Sequence, residues 1–133
     1  MERKRLITIR NPSDRPVPET YHHGVEVGGS VRTLYIAGQI GLKPDGSIPE
    51  GIVAQTQVVY DNMKAVLDAA GMDFADIVKT TAFLTNPADR AGFAEVRARF
   101  FAGAKNASTL VYISGLARPE LLVEVEAIAV KQA

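Results

Sequence analysis

The chain of 133 residues contains no cysteine. That single absence removes disulfides, thiolate metal sites and thiol nucleophiles together, and it accords with a reducing compartment. Histidine is scarce, with only His22 and His23. Adjacent residues on a strand point to opposite faces, so the two cannot share one ion, and a structural role is the better reading. Net charge is also missing, since 15 basic residues balance 15 acidic ones. Without a net positive field, nucleic acid is not an electrostatically favoured partner, and neither is an anionic membrane. No apolar run approaches the roughly 20 residues a membrane helix needs. The basic start, Met1 to Arg5, is followed only by Leu6 to Ile9 before Arg10, too short for a signal peptide. A cytoplasmic protein is expected. The glycines around Gly24, Gly28 and Gly29 make no dinucleotide fingerprint, those from Gly38 to Gly51 lack the P-loop lysine, and no Gly-x-Ser-x-Gly turn is present.

What is present reads as one soluble domain over residues 1–133, with no repeat, low-complexity tract or linker. Hydrophobic residues make up 47% and charged residues 23%, and a chain of this length buries about two-thirds of its unfolded surface. Strand character runs from Lys4 to Ile9, and Pro12, Pro16 and Pro18 then enforce a loop. His23 to Val27 and Thr33 to Ala37, separated by Gly28-Gly29-Ser30, read as a hairpin. Gly38, Gly41, Pro44, Gly46 and Pro49 mark a loop with Pro44-Asp45-Gly46 as its turn. From Ile52 to Ala70 the apolar residues recur at helical spacing, with Gly71 as the stop. A strand follows over Asp76 to Leu84. Asn86-Pro87 reads as an N-cap and first helical residue, opening a helix with Phe93, Val96, Phe100 and Phe101 on one face and an end near Gly103. Ser108 to Ile113 and the run from Leu121 are further strands. One sheet with two helices on one face is the economical packing, which leaves the other sheet face to be covered by self-association.

The last strand carries the best chemical clue. Glu124 and Glu126 interrupt an otherwise apolar alternation, and their two-residue offset points both carboxylates to one face. Either they are solvated on a sheet face, or one of them orients a water in a cleft. Tyr21, after the proline-rich loop, is equally an exposed amphipathic ring or a hydroxyl at a pocket. Gly38 lets another group approach the backbone closely or merely turns the chain. Asp61 and Lys64 fit a solvated helix face, and Asp76 with Lys79 fits a surface pair.

Several stretches resemble the Rid/YjgF family of reactive enamine/imine deaminases, also known as endoribonuclease L-PSP proteins. They are Tyr21-His22-His23-Gly24-Val25, Ile36-Ala37-Gly38-Gln39-Ile40, Gln55 with Tyr60 to Ala65, Ala69-Ala70-Gly71, Asp76 to Thr81, and Val123 to Val130. The resemblance spans nearly the whole chain, in order. It implies a chorismate-mutase-like α+β fold, a homotrimer, and a small-molecule ligand in a cleft between subunits. It further implies hydrolysis of a 2-imino or enamine acid to a 2-oxo acid and ammonia without a cofactor. By the same likeness Glu124 orients the water, Tyr21 is the pocket tyrosine, and the backbones of Gly38 and Leu110 contact substrate.

One departure bears directly on substrate. The family places an arginine, usually in Pro-Ala-Arg-Ser, where its guanidinium grips the substrate carboxylate through paired hydrogen bonds. Here Asn106-Ala107-Ser108-Thr109 stands in that place, with Ser108 at the arginine position. A neutral hydroxyl in place of a charged fork is expected to cost a carboxylate ligand at least about tenfold in affinity. Ala37 replaces a family serine, and Ala94 stands where an asparagine is common. The loop Leu116 to Glu120 is one residue longer than usual and carries Arg118, whose guanidinium either swings toward the cleft or, as is commoner for a loop arginine, stays solvated. Three functions follow from this reading: an altered imine or enamine hydrolase, a non-catalytic small-molecule-binding trimer, and an endoribonuclease, which the neutral charge balance disfavours.

Overall fold

A computed structural model describes residues 6–133. The first expected strand therefore lies partly outside the described residues, at Lys4 and Arg5. The elements are β1 (Ile7–Arg10), β2 (Gly24–Val27), β3 (Val31–Ile40), α1 (Ile52–Ala69), β4 (Ile77–Leu84), α2 (Arg90–Phe101), β5 (Ala107–Tyr112) and β6 (Val123–Gln132). Four strands form the main sheet in the order β3-β6-β4-β5. β4 and β5 are parallel, and β6 runs antiparallel to both β3 and β4. The parallel neighbours β4 and β5 need a long crossover, which α2 supplies, while α1 carries the chain from β3 past the later place of β6 to β4. Both helices pack on the same face, giving an α+β fold of two helices on a mixed sheet.

The core explains that placement. Tyr60 of α1 sits among Phe74, Phe93, Phe100 and Phe101, with ring centroids 5.3 to 6.2 Å from its own. The helices meet closely at Gly92, where a side-chain carbon would lie 2.7 Å from Ile52 Cγ2. Each helix ends as its sequence dictates: Gly71 adopts φ 68°, and the left-handed pair Ala102-Gly103 follows α2. Asn86 Oδ1 accepts from Ala88 N at 2.9 Å, capping the short 3-10 turn of Pro87–Asp89 that leads into α2. No helix among the described residues is long and apolar enough to cross a membrane.

Two expectations are corrected. β2 and β3 are not a hairpin: β2 pairs with β1, from Ile7 opposite Val27 to Arg10 opposite Gly24, while β3 pairs with β6. β3 buries Ile36 against the helices, which it can do only from within the main sheet. β1 and β2 are instead joined through the proline-rich loop, whose ends Asn11 ties together. Its Oδ1 accepts from His23 N at 2.7 Å, and its Nδ2 faces His22 Nδ1 at 3.1 Å. His23 Nε2 meets Pro16 O at 3.1 Å, so both histidines are structural. Asp76 is the second correction. It is buried rather than half of a surface pair, because its carboxylate accepts from Asp73 N at 2.9 Å in a capping box, while Lys79 reaches Thr109 Oγ1 instead.

A buried glutamine holds the loops around the future site. Gln55 Nε2 donates to the carbonyls of Pro49 and Glu120, and its Oε1 accepts from Leu122 N. Nearby, Asn62 Nδ2 donates to the carbonyls of Ile40 and Leu42. Together the two amides anchor the segments that follow β3 and precede β6.

Candidate active site

β6 alternates as its sequence requires. Val123, Val125, Ala127 and Ala129 are buried toward the helices, which sends Glu124 and Glu126 to the open face. Glu124 lies opposite Phe83 of β4 on one side and Ile40 of β3 on the other. Gly38 is inside β3 rather than at the start of the loop. The register slips between Ile36 and Gln39, and the strand continues to Ile40. A side-chain carbon at 38 would overlap the Glu124 carboxylate, so any larger residue there would displace that acid. Close backbone approach is thus the role Gly38 plays, and it lays the acid across β3. Among the described residues Glu124 has no hydrogen-bond or ion-pair partner.

Tyr21, Ser108 and Leu110 occupy a different place. They line a cavity of about 340 Å³ at the β5 edge, on the helix side of the sheet. Ser108 lies opposite Thr80 in the parallel pair β4–β5. Thr80 Oγ1 is 2.9 Å from Asn106 Oδ1 and 3.2 Å from Ser108 Oγ. A hydroxyl has one proton, so Thr80 serves as acceptor in one of these contacts, and Ser108 belongs to a hydroxyl–amide network rather than standing free. The small side chain of Ala94 keeps the α2 wall of the cavity low.

The expected residues therefore form two groups on opposite faces of the sheet within one chain: Glu124 with Gly38, and Tyr21 with Ser108 and Leu110. Arg118 joins neither. It borders a separate depression between the Gly46–Gly51 loop and Leu122, and its Nε donates to Glu120 Oε1 at 3.3 Å.

The cavity also contains cations the sequence reading did not single out. Arg97 and Arg90 of α2 line it, and no carboxylate does. Arg97 stacks its guanidinium over the Phe101 ring, 4.5 Å from the centroid. Its Nη2 is buried with no hydrogen-bond partner. Tyr60 forms part of the same wall, and burial pushes its phenol far above the ordinary value of 10 against the opposing pull of the Arg97 charge. The tyrosine is a neutral hydroxyl at any physiological pH. The spacing did hold a signal for Arg97: it is four residues from Phe93 and four from Phe101, on the buried stripe rather than the solvated one.

Residues 13–131 match the family model described as endoribonuclease L-PSP. The chain belongs to that family. Its members include proteins named for imine deamination: the chain is 36% identical over 119 residues to the 2-iminobutanoate/2-iminopropanoate deaminase of Escherichia coli strain K12, covering 84% of this chain and 88% of that protein. Protein DfrA of Myxococcus xanthus is 41% identical over 112 residues, covering 83% and 84% respectively. Among solved structures, the Rid-family protein YyfB of Yersinia pestis superposes with a TM-score of 0.81 at 37% identity, covering 93% of this chain and 98% of that one. In this L-PSP (Rid/YjgF) protein the cavity wall carries Ser108 from β5 and two arginines from α2.

Proposed function

We propose that this chain is a cofactor-independent hydrolase of a small imine or enamine, releasing ammonia, with a substrate range altered by Ser108. The observation that carries the reading is the Glu124 carboxylate, laid over Gly38 on an open sheet face without a partner among the described residues. A carboxylate placed so is available to a water. In the reaction, Glu124 takes a proton from water as the oxygen bonds to the C=N carbon and returns it to nitrogen, giving a carbinolamine. Glu124 then relays the hydroxyl proton to nitrogen as the C=O bond forms and the C–N bond breaks, and ammonia leaves a carbonyl product. Water is consumed and no electrons are exchanged, so nothing beyond the side chains is required.

We infer that the two groups of site residues meet in a cytoplasmic homotrimer, where the open face of one protomer packs at the β5 edge of the next. Glu124 and Gly38 then supply the water-handling side of a cleft, and Tyr21, Ser108 and Leu110 the ligand-holding side. The name of the Escherichia coli relative supports 2-imino acids as the substrate class to try first. Glu124→Gln is expected to lower ammonia release from 2-iminobutanoate, generated in situ by an amino-acid oxidase, by a factor of about 10² to 10⁴ while the assembly stays intact on size-exclusion chromatography. Failure of the unaltered protein to accelerate hydrolysis of any imine so generated would remove the proposal. A binding trimer without turnover is the second reading, favoured by the neutral side chain of Ser108 in the cavity wall. It would show as metabolite-induced thermal stabilisation with no ammonia.

A further inference from the structure

α2 turns a guanidinium toward the cavity whose β5 wall carries Ser108. Arg97 lines the same space as Ser108 and Tyr21, and it lies one helical turn beyond Ala94, whose small side chain leaves room in front of it. Its Nη2 is buried and has no acceptor anywhere in the described chain. Buried donors are nearly always paired, so an unpaired guanidinium N–H at the wall of a cavity marks a place where an acceptor belongs. The guanidinium is also held in position: the Phe101 ring supports its flat face at 4.5 Å, which fixes the plane in which its fork can meet a planar anion. Arg90 adds a second positive charge at the same wall, and no acidic side chain lines the cavity to neutralise either one. The surrounding groups, Tyr60, Thr80, Ser108 and Tyr112, are uncharged hydroxyls.

We propose that Arg97 is the anion-binding residue of this cavity, receiving a carboxylate-bearing ligand through its guanidinium in place of a side chain at position 108. The inference rests on reading the cavity as the ligand site of the proposed hydrolase. It makes Ser108 a neutral wall and transfers charge recognition from the sheet edge to the helix. A planar 2-oxo or 2-imino acid is the fitting ligand class, because two parallel N–H donors match the two oxygens of one carboxylate. The anion then enters from the α2 side, which reverses the end of the cavity at which the reactive carbon sits relative to a clamp on β5.

The test uses two unreactive probes of nearly equal shape, 2-oxobutanoate and its neutral amide, 2-oxobutanamide, titrated calorimetrically into the full chain. The unaltered protein is expected to prefer the carboxylate by about tenfold or more, with the preference shrinking as salt is raised. Arg97→Gln should abolish that preference, with carboxylate affinity falling to that of the amide. Arg97→Lys, which keeps the charge and the aliphatic stem but loses the fork, should retain part of it. Adding Ser108→Arg to Arg97→Gln should restore it, a gain that misfolding cannot imitate. Equal binding of the two probes by the unaltered protein, or an undiminished preference in Arg97→Gln, overturns the inference. Imine turnover is assayed separately, so the two ideas fail separately. Turnover with an Arg97-independent preference leaves the hydrolase without this clamp, and an Arg97-dependent preference without turnover leaves the clamp without the hydrolase.

Discussion

Asn11 sets the protonation of His22. Because Asn11 Oδ1 accepts from His23 N, its amide nitrogen is the atom that faces His22 Nδ1, and that ring nitrogen must be the acceptor of a neutral imidazole. Burial, and then the charge of Lys105, hold His22 below its ordinary value of 6.5. The sign follows. The unfolded chain binds this proton more readily, so the His22 contribution to stability is complete above pH 6.5 and declines as pH falls below it. Urea midpoints are expected to drop on acidification through that window, and His22→Gln should flatten this part of the decline. An unchanged slope in the variant would place the acid sensitivity elsewhere. Glu124 and Gly38 were legible from sequence, since strand alternation fixes the face of an acid and a glycine permits close approach. Arg97 and Asp76 were not. A cation on an apolar helix stripe usually snorkels to solvent, and the buried capping role of Asp76 depends on a turn that begins at Asp73.

Among the elements, the two helices were legible because their apolar spacing is local and their stops are glycines with positive φ. Strand pairing was not, because which strands meet is settled by burial across the whole sheet rather than by the short Gly28-Gly29-Ser30 link. The helix pair offers a direct test of packing. Gly92 of α2 admits Ile52 of α1 so closely that Gly92→Ala forces the Ile52 side chain or the helix to shift, and it should cost about 1–3 kcal/mol in chemical denaturation. A stability gain from the higher helix propensity of alanine would mean that the contact is looser than the geometry states. Because the same helix carries Arg97, the substitution should also weaken carboxylate binding.

For the whole molecule, the open sheet face is the feature to explain. Tyr35 is 75% exposed there, beside Ala37, Lys79, Glu126 and Ile128. In the proposed trimer this face is covered. Tyr35→Glu should therefore leave the single chain within about 0.5 kcal/mol of its stability and yet dissociate the assembly in sedimentation velocity. A monomeric unaltered protein would refute the assembly itself. Finally, β6 comes last of the six strands in chain order yet occupies the interior of the sheet, between β3 and β4. A ribosome-bound chain that has made only the first five strands holds two naked edges apart and has no Glu124. Closing that gap joins the two crossovers into one sheet, so the placing of the Glu124 carboxylate and the completion of the sheet are the same event.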